Sequence, residues 1–468
     1  MGLEEFKQHV KVAAEAFKQL PNKHIKVVSH LDCDGLTAAA IITKALSREG
    51  LNFSLSIVKQ VDQNVLEELS KEKYDCYIFT DLGSGYLSSV EKHLGGKNVF
   101  ILDHHSPEDF NTGVSHVNPH MFGIDGSKEI SGAGTAYIFA KSLNEENKDL
   151  AHLAIIGAIG DIQEKQGFTG MNMEILEDAV SSEKMTVRKG LSLFGSQTKP
   201  LYKVLEFSTD PYIPGVTGNE QEAVKFLNEL GICAKDSNGR PKKLVNLSEK
   251  EMRTLVEGII MRRIGIEENP EDVVGNNYLL VEEAEESPTR DAREFSTLLN
   301  SCGRLKKPSL GIATCLGDEK AKREAIRMMD DYRHALIRSL NWFYSNRNTE
   351  HVTEKDGYVM IKAGDNVKDT MIGTIASIIS RSNVYSEGTI ILSMANMADG
   401  HIKASLRRVG TNKAMDLRNI VKEIADRVGV KEAGGHRDAC GCLLPSEKGQ
   451  EFLSVAEEVM KKVTKLDY

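Results

Sequence analysis

No run of 18 apolar residues occurs in the 468-residue chain, so no stretch reads as a hydrophobic membrane-spanning helix. Met1-Gly2-Leu3-Glu4-Glu5 opens an amphipathic helix rather than a signal peptide, and a cytoplasmic location is expected. The seven cysteines follow no regular spacing, which argues against a disulfide framework and for reduced thiols. Cys440-Gly441-Cys442 has no second Cys or His pair to complete a metal site, so packing within a strand is its expected role. Cys33 is read as a small packed residue. Basic charge is also scarce: a net charge of −9 does not advertise a nucleic-acid binder. No Gly-x-Ser-x-Gly elbow is present, which excludes that kind of serine nucleophile. Internal repeats and low-complexity tracts are absent too.

What the chain does have is acid and imidazole at the ends of apolar runs. Asn98-Val99-Phe100-Ile101-Leu102 closes in Asp103-His104-His105. Adjacent strand residues point to opposite faces, so three such side chains converge only where a strand turns into a loop. Open α/β sheets place their chemistry at that edge. Ile25-Lys26-Val27-Val28-Ser29 leads to His30-Leu31-Asp32-Cys33-Asp34-Gly35, where alternation places His30, Asp32 and Asp34 on one side. Asp81 ends Tyr77-Ile78-Phe79-Thr80, and Asp161 ends the apolar stretch from Leu153 to Gly160. A single acid at a strand end is usually a helix cap. Four in succession supply oxygen and imidazole ligands for two divalent ions. Such ions would offset part of the negative charge, so a groove on an acidic protein can still attract phosphates.

These four motifs, in this order, resemble those of the DHH phosphoesterase superfamily. The resemblance implies two Mn2+ or Mg2+ ions per active site. One would take His30, Asp32 and Asp81, the other Asp34, Asp81, His104 and Asp161, with Asp81 bridging. Asp103 and His105 would form the catalytic pair, Asp103 fixing an imidazole and His105 touching the scissile phosphate. Superfamily branches differ at the position of His30. The chemistry has a physical reason: a phosphodiester is anionic and repels hydroxide, so cations must neutralise it, activate water and stabilise the leaving oxygen.

Near the other end, Gly434-Gly435-His436 precedes the apolar Cys442-Leu443-Leu444, and a glycine pair lets backbone amides approach an anion. This is similar to the loop of the DHH-associated C-terminal domain, which closes over substrate phosphates. Ile402-Lys403-Ala404-Ser405-Leu406-Arg407-Arg408 fits that domain's basic strand. Lys403, Ser405 and Arg407 share a face, Arg407 is the expected phosphate clamp, and Arg408 is expected to be solvated or interdomain. Ser131-Gly132-Ala133-Gly134-Thr135 opens a helix, and Ser131 and Gly132 are expected on the substrate side. The segment Arg290 to Arg304 resembles one found in archaeal RecJ-like nucleases. By spacing alone, Arg290 and Arg293 read as a solvated face, and Gly303 as a helix end near Asn300 and Arg304.

The expected fold class is α/β: a parallel-sheet DHH domain over residues 1–190, a helical connector or insertion over 191–317, a bridging helix over 318–346 that holds Trp342, and a smaller α/β domain over 347–468. Strands are expected at 25–30, 51–58, 75–81 and 98–103, with helices at 35–47, 61–71 and 86–94. The later domain reads as strands at 357–363, 388–396 and 401–408, with helices at 368–382, 414–428 and 446–465. The resemblance implies two lobes around a cleft, a single-strand-specific exonuclease with DNA or RNA as substrate, and association with the GINS replication complex. Two alternatives stand beside it: a phosphodiesterase for short oligoribonucleotides, cyclic dinucleotides or small phosphoesters, and a non-catalytic replication scaffold.

Overall fold

A computed structural model describes residues 2–21, 24–165, 167–208, 211–267, 269–382, 384–410, 416–430 and 433–466. The chain divides into two compact units, Met1–Met328 and Met329–Tyr468. The first unit begins with α1 (Gly2–Lys18), β1 (Ile25–His30), α2 (Cys33–Arg48), β2 (Phe53–Val58), α3 (Gln63–Lys71), β3 (Cys76–Thr80), α4 (Leu87–Leu94), β4 (Asn98–Leu102) and β5 (Ser115–Val117). The strands expected from the pattern lie within two residues of β1 to β4 at every boundary. Three-residue β5 is too short to show a period.

The strands form one parallel sheet in the order β2-β1-β3-β4-β5. β1 and β3 are neighbours whose connections leave in opposite directions, which opens a crevice beyond their C-terminal ends. Their apolar side chains are buried on both sides of the sheet: Val28, Tyr77, Phe79, Val99 and Ile101 pack with Leu66 and Leu69 of α3 and Val90 and Leu94 of α4 on one face, and Val27, Ile78, Phe100 and Leu102 are buried on the other. Each fully buried side chain of this size contributes about 1.5–3 kcal/mol, so the sheet is a stiff base for its edge.

Helices α5 (Gly132–Leu143), α6 (Ala151–Gly160) and α7 (Gly170–Ser181) follow. The apolar stretch before Asp161 is thus a buried helix, not a strand; its run of buried residues carries no alternation to tell the two apart. The chain then leaves along β6 (Met185–Leu191), makes α8 (Leu201–Glu206), α9 (Glu220–Glu229) and α10 (Glu249–Arg263), and returns along β7 (Val274–Leu280). β6 and β7 pair antiparallel from Met185↔Leu280 to Leu191↔Val274, so the excursion starts and ends on one ribbon. It holds its own core, including Leu201, Leu205, Ile213, Phe226, Leu255 and Ile259. Ser248 and Glu251 form a reciprocal capping box at the start of α10. Helices α11 (Ala292–Arg304) and α12 (Pro308–Cys315) complete this part, and α13 (Glu319–Ser345), which carries Trp342, runs on into the second unit.

The second unit contains β8 (Val352–Lys355), β9 (Tyr358–Gly364), α14 (Asp369–Arg381), β10 (Ile390–Asn396), β11 (His401–Arg408), α15 (Leu417–Val428), β12 (Ala433–His436), β13 (Ala439–Pro445) and α16 (Gly449–Leu466). Its sheet order is β12-β13-β11-β10-β9-β8. Only β9 and β10 run parallel. Cys440 and Cys442 are buried on β13, as strand packing requires. No described helix is long and apolar enough to cross a membrane.

Candidate metal centre

Every expected acid and imidazole of the first unit arrives at the C-terminal edge of the parallel sheet. His30 ends β1. Asp32 is the N-cap of α2, its Oδ1 accepting from Gly35 N at 3.0 Å, and Asp34 sits in the first helical turn. Strand alternation is therefore not what gathers these three: the chain turns into a helix directly after His30. Asp81 follows β3 with φ +58°, and its own N–H donates to Leu102 O at 2.9 Å. An Asp tolerates this left-handed conformation better than most residues, and the turn swings its carboxylate over the sheet edge. Asp103, His104 and His105 follow β4, and Asp161 caps the C-terminal end of α6.

Two groups of side chains that could hold a cation meet at Asp81. His30 Nδ1 lies 3.0 Å from Asp32 Oδ2 and 3.4 Å from Asp81 Oδ2. His104 Nε2 lies 3.2 Å from Asp81 Oδ1, 3.3 Å from Asp161 Oδ2 and 3.6 Å from Asp34 Oδ2. Ligands about 2.1 Å from one ion sit about 3 Å apart on an octahedron, so these spacings suit divalent cations. His30 Nδ1, both carboxylate oxygens of Asp81 and His104 Nε2 are buried and make no hydrogen bond. Buried polar atoms are almost always satisfied, and four orphans converging on one place fit a cation-binding site.

The electrostatics point the same way. Burial opposes the ionised form of Asp34, and the negative charges of Asp81 and Asp161 add to it, so its carboxyl titrates well above the usual range. Burial likewise lifts Asp161 to about 7. Asp81 is also buried, but the nearness of His104 and His30 outweighs burial and holds its carboxyl below the ordinary value. Burial opposes the charged forms of His30 and His104, yet Asp32 beside the first and Asp81 beside the second push both well up. These groups take up protons that bound cations would displace.

A surrounding layer aims these ligands. His104 Nδ1 donates to Gly126 O at 2.6 Å, which leaves Nε2 as the ligand atom. Gln163 Nε2 donates to the same carbonyl at 3.0 Å, and Asn172 Nδ2 donates to Gln163 Oε1 at 2.6 Å. Asp103 is saturated with donors: Ser84 N, His104 N and His105 Nδ1 at 2.9, 2.8 and 2.7 Å. It therefore positions the His105 imidazole and the backbone of His104. Asn118 Nδ2 donates to His105 O and Ser84 Oγ, both at 2.8 Å. Thr80 and Ser29 join β3 to β1 through a buried 2.6 Å hydroxyl pair. None of Ser29, Thr80, Ser84, Asn118, Gln163 and Asn172 stands out in the sequence.

Three expectations are corrected here. Ser131 and Gly132 do not face substrate: Ser131 is buried and caps α5 through Gly134 N. Gly132 N and Ala133 N donate to Asp34 at 2.6 and 3.0 Å, so the helix N-terminus holds this carboxylate. A methyl group on Gly132 would lie 2.5 Å from Asp81 Oδ1, which is why glycine stands there. Arg290 and Arg293 are not a solvated face. Arg290 Nη1 donates to the carbonyls of Leu280, Val281 and Glu283, and Arg293 bonds Ser192 Oγ and Asn277 Oδ1 at 2.5 Å each. Gly303 does not end its helix, which runs to Arg304; it lets α11 press on the Leu31 carbonyl. One turn earlier, Asn300 Oδ1 accepts from Cys33 N at 3.0 Å.

In the second unit, alternation along β11 holds. Ala404 and Leu406 join the core, while Lys403, Ser405 and Arg407 take the other face. Ser405 is buried beneath α14, however, too deep for substrate contact. Arg407 is half-buried, and its Nε donates to Ser377 Oγ at 2.7 Å. Arg408 is neither solvated nor interdomain: it is buried and pairs with Asp438 of its own unit. Gly434, Gly435 and His436 form edge strand β12 rather than a free loop; Gly435 has φ +134°, and the His436 side chain lies outside the described residues.

Known families match the chain in three successive blocks: the DHH family, N-terminal domain over residues 24–158, the DHH-CID domain over 193–274 and the DHHA1 domain over 356–462. An uncharacterized protein of Methanocaldococcus jannaschii is 29% identical over 98% of each chain. The single-stranded-DNA-specific exonuclease RecJ of Thermus thermophilus is 24% identical over 48% of this chain and 35% of its own length. A crystal structure of RecJ from that organism in complex with Mn2+ matches with a TM-score of 0.59 at 16% identity, covering 99% of this chain and 55% of the other. CDC45 of Entamoeba histolytica matches with a TM-score of 0.65 at 13% identity over 98% of each. At these identities the structures show a shared fold. With the three domains in this order, the chain belongs to the DHH superfamily and has a RecJ-like organisation.

Proposed function

We propose that the chain is a metal-dependent exonuclease that hydrolyses phosphodiester bonds of single-stranded DNA or RNA at a site for two divalent cations, Mn2+ or Mg2+. The observation that carries this reading is the convergence of four buried, unbonded ligand atoms, His30 Nδ1, Asp81 Oδ1 and Oδ2 and His104 Nε2, at the sheet edge. His30, Asp32 and Asp81 would hold one cation, and Asp34, Asp81, His104 and Asp161 the other. When bound, the cations would neutralise the phosphoryl oxygens, lower the pKa of a water and stabilise the leaving oxygen. The chain's own groups do the rest. His105 is half-exposed, and Asp103 holds its Nδ1, so Nε2 is left to donate to a phosphate oxygen. Burial opposes a charged His105, but its hydrogen bond to the Asp103 carboxylate outweighs it and raises its pKa, which favours that donor. In the second unit, Lys403, Arg407, Gly434, Gly435 and His436 are the proposed phosphate contacts.

The single-strand preference and the exonuclease reaction are supported by the name of the Thermus relative. The CDC45 likeness is one of fold, and it also suits a role beside a GINS-type replication complex; the complete ligand set favours catalysis over a pure scaffold. The test is a time course on end-labelled single-stranded DNA, single-stranded RNA and duplex, with Mn2+, Mg2+ or EDTA. Stepwise shortening of single strands that stops in EDTA is expected. No turnover with either metal, or hydrolysis confined to small phosphoesters, would overturn the reading.

A further inference from the structure

Helix α6 ends in a motif that normally calls for glycine. Gln163 N donates to Ala158 O at 3.0 Å and Ile162 N to Ile159 O at 3.0 Å, the paired bonds of a Schellman cap with Ile162 at its left-handed position. Ile162 has φ +62°. A β-branched side chain is among the least suited to that conformation, because its Cβ crowds the backbone. Burial does not compensate: the side chain is 62% exposed. A strained, solvent-facing isoleucine therefore adjoins Asp161, whose Oδ2 lies 3.3 Å from His104 Nε2. Strain held without a packing return is the mark of a functional position. Loops leaving the same sheet edge expose further large apolar side chains, Tyr86 after β3 and Phe110 after β4. A cluster of carboxylates and imidazoles has no use for apolar neighbours, but a nucleotide carries an apolar sugar and base face beside its phosphate.

We infer that Ile162 is a substrate-contacting residue that determines affinity: its side chain packs on the sugar or base of the nucleotide whose phosphate the centre holds. This rests on the proposed nuclease function. Stability and substrate handling should then respond with opposite signs. Ile162→Gly relieves the backbone, and Ile162→Asn relieves most of it, so both should raise Tm by roughly 2 °C or more. Both remove the apolar contact, so both should raise KM for single-stranded DNA roughly tenfold, the scale of burying one aliphatic side chain. The dissociation constant of a fluorescein-labelled oligothymidylate, read by anisotropy with Ca2+ as the bound cation, should rise alongside. Ile162→Val, which keeps the branch and most of the surface, should leave Tm near wild type and raise KM and the dissociation constant by less than the other two. Unchanged KM and anisotropy in the Gly and Asn variants would overturn the inference while leaving the nuclease function intact. A lower Tm in Ile162→Gly would overturn it too, by showing that the side chain packs internally. Absence of wild-type turnover on any nucleic acid would overturn both readings together.

Discussion

Replacing Gly303 by alanine should damage the metal centre from a helix that carries none of its ligands. A methyl group there would lie 1.7 Å from the Leu31 carbonyl oxygen, inside the His30–Asp34 segment. A carbon and a carbonyl oxygen settle no closer than about 3.3 Å, so α11 and this loop must separate by about 1.6 Å. Both listening points of the loop are then disturbed: Asn300 Oδ1 loses Cys33 N, and His30 and Asp32 shift relative to Asp81. Overpacking and the lost hydrogen bond, less the better helix propensity of alanine, leave a net destabilisation of about 1–3 kcal/mol. Displaced supports of metal ligands typically lower affinity about 10- to 100-fold, and a misplacement of about 1 Å lowers turnover by a similar factor. Mn2+ titration by calorimetry and thermal unfolding with and without metal would measure both. Gly96→Ala, at a position with nothing within 4 Å of the added methyl group, is the control and should change neither. Wild-type Mn2+ affinity in Gly303→Ala would refute the claim that α11 sets the geometry of the loop.

Asp81→Ala should abolish hydrolysis and strip metal, because both of its oxygens face ligand sets; bound metal by elemental analysis and near-wild-type turnover are the outcomes to compare. Arg407→Ala and His436→Ala should impair turnover on nucleic acid while metal content stays at the wild-type level, since both lie in the other unit; loss of metal in either would contradict that division of labour. In the metal-free protein, Asp161 at about 7 and the raised carboxyl of Asp34 contribute stability at pH 4 that is lost as pH rises, and the raised His30 and His104 act with the same sign. Asp81 and Asp103 are lowered and act oppositely, but below the ordinary carboxylate value of 3.8, so Tm in EDTA should fall from pH 5 to 8 and the increment from Mn2+ should grow; a flat profile would refute the uptake of protons by these groups.

The parallel sheet was legible because its strands are buried on both faces and end abruptly in polar residues. That single contrast locates β1, β3 and β4 and also the candidate ligands, since a strand terminus is where a buried run meets solvent. Asp161 was found for the same reason, although the apolar stretch before it is a helix: the end of a buried element is visible even when its period is not. Where the reading went astray, the missing information was the partner. Arg290 and Arg293 have helical spacing, but backbone carbonyls near β7 and side chains on β6's end and β7 decide that they are clamps. Arg408 alternates away from Arg407, and only the position of Asp438 makes that side a buried ion pair rather than a solvated one.

The layer behind the ligands was illegible for a stronger reason, because none of its contacts is local. Asn300 supports Cys33 from 267 positions away, and Asn172 reaches His104 only through Gln163 and the Gly126 carbonyl. An asparagine or glutamine carries no periodic signal, so nothing in its own neighbourhood marks it. Glycine is ambiguous in the same way: Gly303 reads as a helix end and serves as a contact point, while at position 162, where the backbone calls for glycine, the chain carries isoleucine. These two positions bracket the centre with opposite departures from local preference. At Gly303 helix propensity yields to the approach of a backbone; at Ile162 backbone comfort yields to the presence of a side chain. Departures of this kind are costs that a fold without a function at that edge would have no reason to carry: Ile162 directly follows Asp161, and Gly303 presses on the carbonyl of Leu31, between His30 and Asp32.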